Sequence, residues 1–303
     1  MTNKIWLNKK RFCLLVTLTL VLTVTLTAAE KINLAGNWQF ALDRDDKGIA
    51  DNWFDQSLPD KIVLPGALQS QNFGDPISTK TPWVLSLYDK NWFLREDYKD
   101  FAAENNVKVP FLSQPPKHYL GAAWYNRDIE IPASWQGKRI VLFLERPHWE
   151  STVWLDGQKI GSNLSLVAEH EYDLGNLPAG RHKLSIRVDN RMLMNYRPDA
   201  HSVSDSLGMS WNGIIGKIEL GATGNVWIED AQVFTNLEAK TAAVKIKTGN
   251  STGKSGSGTI NANGKNFPVS WNEKAAAQKS SSIFRTRGSG MNSARTCTKS
   301  ICN

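Results

Sequence analysis

From Lys31 to about Val233 the chain is dominated by short segments whose apolar residues recur at every second position, and this period decides what it can fold into. "HKLSIRVDN" alternates strictly, with Leu184, Ile186 and Val188 on one face and Ser185, Arg187 and Asp189 on the other. "KRIVLFLE" sets Ile140, Leu142 and Leu144 against Val141 and Phe143, apolar on both faces as an inner strand requires. "AWYNRDIEIP", "TVWLDGQKIG" and "GKIELGA" continue the pattern, with turn signals at Asp156-Gly157, Pro178-Ala179-Gly180 and Gly221. Side chains alternate across a strand, so such segments bury one face each and pair into sheets. Many short strands with turns at this spacing predict an all-β sandwich. The exception is "DKNWFLREDYKDFAAEN", Asp89 to Asn105, whose Leu94, Tyr98 and Phe101 predict a helix inserted beside the sandwich.

After Gly224 the texture changes. "NVWIEDAQVF", "AAVKIKTG", "GTINANG" and "NFPVSWNE" read as the first strands of a second β-domain, separated by Gly/Ser/Asn turns. An immunoglobulin-like sandwich takes about seven strands and ~100 residues. Only about half of that length precedes the abrupt change of composition near residues 275–280, so the second domain is expected to be incomplete. Unfinished sheets leave unpaired edges and exposed apolar faces.

The two ends account for the basic character. The net charge of +7 divides into +4 from residues 1–29, +4 from residues 280–303 and −1 from the body between them. A near-neutral body lacks the clustered basic face of a nucleic-acid binder, so none is expected as a partner. At the N-terminus, Lys4, Lys9, Lys10 and Arg11 precede an apolar run from Phe12 to Leu26 and the small residues Thr27, Ala28 and Ala29. This order is that of a secretory signal peptide cut after Ala29. The alternative is a membrane anchor, for which the run is short and rich in Thr. The mature protein is therefore expected to be periplasmic or extracellular, with no membrane attachment. Its body holds no cysteine; Cys297 and Cys302 lie in the tail "SSSIFRTRGSGMNSARTCTKSICN", which reads as out-of-frame translation rather than part of the fold.

Chemistry-bearing motifs are sparse. His118, His148, His170, His182 and His201 are scattered without metal-ligand spacing, and no Gly-rich phosphate loop links a strand to a helix, so neither metal nor cofactor is expected. "GMSWNG" lacks the spacing of a nucleophile elbow. Glu145 and Glu150, in "LFLERPHWESTVWLDG", are an odd number of residues apart, which sends regular strand side chains to opposite faces. A retaining glycosidase pair needs facing carboxyl groups about 5 Å apart. Pro147 permits a turn between them, but solvated strand-end charges are the simpler reading. Tryptophan is more informative: eleven of 12 follow residue 29, several beside turns or polar residues in "DNWF", "TPWVL", "PHWEST" and "SWNG". Indole faces pack on sugar rings and the N–H adds a polar handle. Most are assigned to core, leaving Trp83, Trp149 and Trp211 as candidates for a groove.

The ordered series "GNWQFALD", "IVLPGALQ", "HYLGAAWYNRDIEIPASWQGKRIVLFLERPHWESTVWLDGQKIG", "YDLGNLPAGRHKLSIRVDN" and "WNGIIGKIEL" resembles the N-terminal sugar-binding domain of glycoside hydrolase family 2, over about Ile32 to Phe234. The long 75–118 segment is similar to that of a branch found among polysaccharide-degrading bacteria. The resemblance implies a jelly-roll (galactose-binding-like) β-sandwich over residues 30–224 and a partial immunoglobulin-like domain over 225–279. It also implies a following (β/α)8 barrel with two catalytic glutamates, and no residue here corresponds to either, so no catalytic residue is assigned. In several family members a loop before the last strand of the first domain contacts the terminal sugar through an Asp. The matching stretch is "DAHSVSDSLGMSWNGIIG", which makes Asp205 the implied substrate contact, with His201, Trp211 and Asn212 beside it. The expected partner is a carbohydrate, a β-glycoside derived from plant or host polysaccharide. A free-standing carbohydrate-binding protein is the alternative to the sugar-binding part of a β-glycosidase.

Overall fold

The structure is a computed structural model describing residues 30–103, 107–109, 116–193, 197, 211–239, 241–262, 265–273 and 284–287. The expected signal peptide and most of the basic tail lie outside the described residues. The strands are β1 (Glu30–Asn33), β2 (Gly36–Asp43), β3 (Asp60–Leu64), β4 (Gly66–Ala67), β5 (Asp75–Pro76), β6 (Lys117–His118), β7 (Ala122–Ile131), β8 (Arg139–His148) and β9 (Glu150–Leu155). They continue with β10 (Gln158–Leu164), β11 (His170–Gly175), β12 (Gly180–Asp189), β13 (Gly213–Thr223), β14 (Val226–Asn236), β15 (Thr241–Asn250), β16 (Gly256–Ala262), β17 (Lys265–Trp271) and β18 (Phe284–Arg287).

Two antiparallel sheets form the large sandwich. One runs β1-β13-β8-β11 with β4 added beside β13; the other runs β10-β9-β12-β7-β2-β3. Neighbours distant in sequence, such as β2 and β7 or β8 and β13, give the all-β jelly-roll arrangement. The predicted inner face of β12 is the core: Leu184, Ile186 and Val188 are wholly buried and meet Ile140, Leu142 and Leu144 of β8 across the interlayer. As its two-sided apolar pattern requires, β8 is an inner strand, flanked by β13 and β11.

The opposite face of the six-stranded sheet is covered too. Trp124 and Trp154 sit there beneath Phe54, which stacks on Trp154 with ring centroids 5.4 Å apart. Asp43 closes this layer, accepting hydrogen bonds from the Trp124 indole (2.9 Å) and from the Lys47 and Gly48 backbone amides (2.8 and 3.0 Å). A buried carboxylate with three donors is satisfied in place.

Three sequence expectations are corrected. The Asp89–Asn105 helix does not form; its described part makes 3-10 turns at Trp92–Leu94 and Glu96–Phe101. Arg95 between them is extended, and burial selects Trp92 (against Trp83 and Tyr98) while Leu94 points to solvent. Gly221 lies inside β13 rather than in a turn. Trp83 and Trp149 line no groove, since both are buried. The Asp156-Gly157 turn forms as read, with both residues at positive φ, which matches hairpin twist.

The smaller β unit holds β14-β15-β18 as one sheet and β16-β17 as a hairpin, packed through Val244, Ile246, Ile260 and Phe267. Phe284–Arg287 from the tail pairs with Thr241–Val244. Ile228, Val233 and Phe234 of β14 are exposed. Arg139 stacks over the Trp227 ring at 3.8 Å and binds Asp173, joining this unit to the large sandwich.

Candidate functional site

The end of the sandwich where β8 passes into β9 and β13 begins gathers the groups suited to a ligand. Gly213 pairs with His148 and carries a φ of +143°. A Cβ there would stand 2.3 Å from the Gly66 carbonyl oxygen, so only glycine lets β4 close against β13. The Trp149 amide donates to the Asp189 carbonyl oxygen (3.0 Å), tying this turn to the end of β12.

Trp211 is the half-exposed member of this end. Its ring stacks on His148, centroids 4.5 Å apart and planes within 20°. His148 Nδ1 lies 2.6 Å from the Trp211 carbonyl oxygen. A carbonyl only accepts, so Nδ1 carries the proton and Nε2 presents a lone pair. Burial lowers the His148 pKa, opposed by that hydrogen bond, so the ring is neutral at pH 7. The Trp149 ring is near-parallel to His148, centroids 6.3 Å apart, and its indole N–H is buried without a partner among the described residues.

Asn212 occupies the interior. Its Nδ2 donates to the carbonyl oxygens of Gly121 (2.9 Å) and Val188 (3.3 Å), and its Oδ1 accepts from the Tyr125 hydroxyl (3.1 Å). With no exposed surface, Asn212 ties the residues entering β13 to Gly121 and Val188 and presents no atom to a ligand. Asn190 does similar work, donating to the Tyr119 and Trp211 carbonyl oxygens (2.8 and 3.2 Å) and accepting from the Gly121 amide (2.8 Å). Asp205 and His201 lie outside the described residues, in the segment immediately before Trp211. Of the four residues read from sequence, the structure therefore places Trp211 at the surface and Asn212 beneath it. Sequence reasoning passed over His148 and Asn190. "PHWEST" did signal an aromatic cluster, but nothing local reveals that His148 turns toward Trp211, 63 residues away.

No hydrolytic pair assembles from Glu145 and Glu150. The Lys217 backbone amide (2.9 Å) and Arg146 hold the Glu145 carboxyl below its usual range, the opposite of a general acid. Glu150 faces Arg187, 3.9 Å away. Among the described residues no group of three or more His, Cys, Asp or Glu is placed to share a metal ion. Nor is any helix among them long and apolar enough to cross a membrane.

Residues 31–92 match the family profile described as glycosyl hydrolases family 2, sugar binding domain. A β-glucuronidase of Paenibacillus borealis is 21% identical over 239 residues, covering 73% of this chain and 33% of that protein. A β-galactosidase of Oenococcus oeni is 26% identical over 221 residues, covering 71% of this chain and 18% of that protein. Among solved structures, the β-glucuronidase from Ruminococcus gnavus in complex with D-glucuronic acid aligns with a TM-score of 0.54 at 16% identity. That alignment covers 88% of this chain and 41% of the other, and it establishes the fold alone. The chain thus spans a third or less of these two relatives. Within the large sandwich, residues 31–92 resemble the sugar binding domain of glycosyl hydrolases family 2, and the fold is that of the β-glucuronidase structure.

Proposed function

We propose that this chain is the N-terminal carbohydrate-recognising part of an exported family 2 β-glycosidase, working in the periplasm or outside the cell, and that it does not hydrolyse glycosides by itself. The supporting observation is the Trp211–His148 stack at the end of the sugar-binding sandwich. It offers an aromatic face for the C–H side of a pyranose and an Nε2 acceptor for a hydroxyl. On the family resemblance, Asp205 and His201 are the further contacts proposed for the terminal sugar of a β-glycoside from plant or host polysaccharide. The carboxylates support the inactive reading: Glu145 and Glu150 are each engaged by cations or amides instead of facing one another.

Two measurements on the purified chain test this reading. Nitrophenyl β-glycosides should show no release above background; sustained turnover refutes the inactive reading. Calorimetric titration with β-linked oligosaccharides should give weak binding that Trp211→Ala abolishes. Silence at millimolar ligand refutes carbohydrate recognition by this chain.

A further inference from the structure

The six-stranded sheet ends on β3, and the loop leading into that strand encloses a depression of about 450 Å³. This lies within the roughly 300–1,000 Å³ of small-molecule sites. None of its lining residues belongs to the Trp211–His148 end. Trp53 forms one wall, and its position is fixed before any ligand arrives. Its amide donates to the Gly48 carbonyl oxygen (2.8 Å), its own carbonyl accepts from Asn126 (2.8 Å), and its ring meets Trp124 edge-on at 6.4 Å. The rest of the loop is pinned as well, by Asn126 to the Gln56 carbonyl oxygen (2.9 Å) and by the Leu58 amide to Gln39 (2.9 Å).

Within this rigid frame three polar groups have no partner among the described residues: the Trp53 indole N–H, the Ser57 hydroxyl and the Asp60 carboxylate. The one cation on the lining, Arg44, is already paired with Asp75 at 2.9 Å. An aromatic wall beside a carboxylate, a hydroxyl and an N–H donor suits adjacent sugar hydroxyls, which donate to the carboxylate and accept from the indole. A free carboxylate beside a neutralised arginine repels anions. One carboxylate also falls well short of the six to eight oxygens a calcium ion takes.

We propose that the Trp53–Ser57–Asp60 depression is a second carbohydrate subsite, and that it takes a neutral pyranoside in preference to a uronic acid. The proposal rests on the carbohydrate reading above but uses different residues, so the two can fail separately.

The experiment titrates the full chain, with 15N-labelled tryptophan, against methyl β-D-galactopyranoside, cellobiose, mannobiose and glucuronic acid. The indole resonance of Trp53, assigned through Trp53→Phe, should shift with at least one neutral sugar and not with glucuronic acid. Asp60→Asn should weaken that binding by about tenfold or more, through loss of charge-assisted hydrogen bonds. Ser57→Ala should weaken it less, and both variants should melt like the parent chain because these side chains support nothing in the fold. Absence of any Trp53 shift with the neutral sugars overturns the proposal, as does parental affinity in Asp60→Asn or equal binding of glucuronic acid. Binding abolished by Trp211→Ala but intact in Asp60→Asn also overturns it, leaving the Trp211 reading standing. Loss in Asp60→Asn with Trp211→Ala unaffected supports it.

Discussion

Replacing Asn212 by alanine separates a buried support from a sugar contact. Its side chain has no exposure and makes three hydrogen bonds, to Gly121, Val188 and Tyr125. Alanine would strip the fully buried Tyr125 hydroxyl of its acceptor at Asn212 and remove a donor from two carbonyl oxygens. A buried polar group left unmet costs about 1–3 kcal/mol, the carbonyls losing less because each has a second lone pair. The expected loss is therefore roughly 2–4 kcal/mol in all. For a domain near 200 residues, each kcal/mol lowers Tm by about 2–4 °C, so Asn212→Ala should melt on the order of 5–15 °C lower. Circular dichroism melts and urea titrations followed by tryptophan fluorescence would measure this. A Tm within about 2 °C of the parent chain, together with lost sugar affinity, would refute the reasoning and restore Asn212 as a ligand contact.

Other outcomes are equally accessible. Gly213→Ala should destabilise by roughly 1–3 kcal/mol, because the new Cβ meets the Gly66 carbonyl in a backbone that favours glycine; an unchanged urea midpoint argues against this. For His182, burial lowers the pKa, but hydrogen bonds to Asp156 (2.6 Å) and the Pro178 carbonyl (2.9 Å) outweigh it and raise the folded value. The imidazolium's contribution is therefore complete below the unfolded pKa and lost as pH rises through the folded one. His182→Gln should accordingly cost more stability at pH 5.5 than at pH 8, and equal losses would contradict it. The His148 pKa is lowered, chiefly by burial, so its contribution has the opposite sign and falls away as pH drops below the ordinary histidine range. Arg139→Ala removes the stack on Trp227, and limited proteolysis between the two β units should accelerate; an unchanged cleavage rate speaks against that joint.

The layers of this protein were legible in the chain because strand side chains alternate. Leu184, Ile186 and Val188 announce a buried face, and the apolar positions on both sides of β8 announce a strand between two others. The Asp156-Gly157 turn was equally plain, since few residues accept its backbone. Segment 89–103 misled because its apolar spacing suits a helix. Packing Trp92 against Trp83 and Tyr98 released Leu94 to solvent and broke the segment into short turns.

At the two candidate sites the division is different. Local sequence identified Trp211 as a surface aromatic within a sugar-binding pattern, and placed Asn212 beside it as a partner. Only the fold turned Asn212 inward to Gly121 and Val188, set His148 against Trp211, and placed Asp60 beside Trp53. Alternation is a property of neighbouring residues and can be read along the chain. Which side chains converge is decided by strand pairings such as β8 with β13, whose partners lie from 65 (Gly213 and His148) to 84 (Thr223 and Arg139) residues apart and which no local pattern encodes.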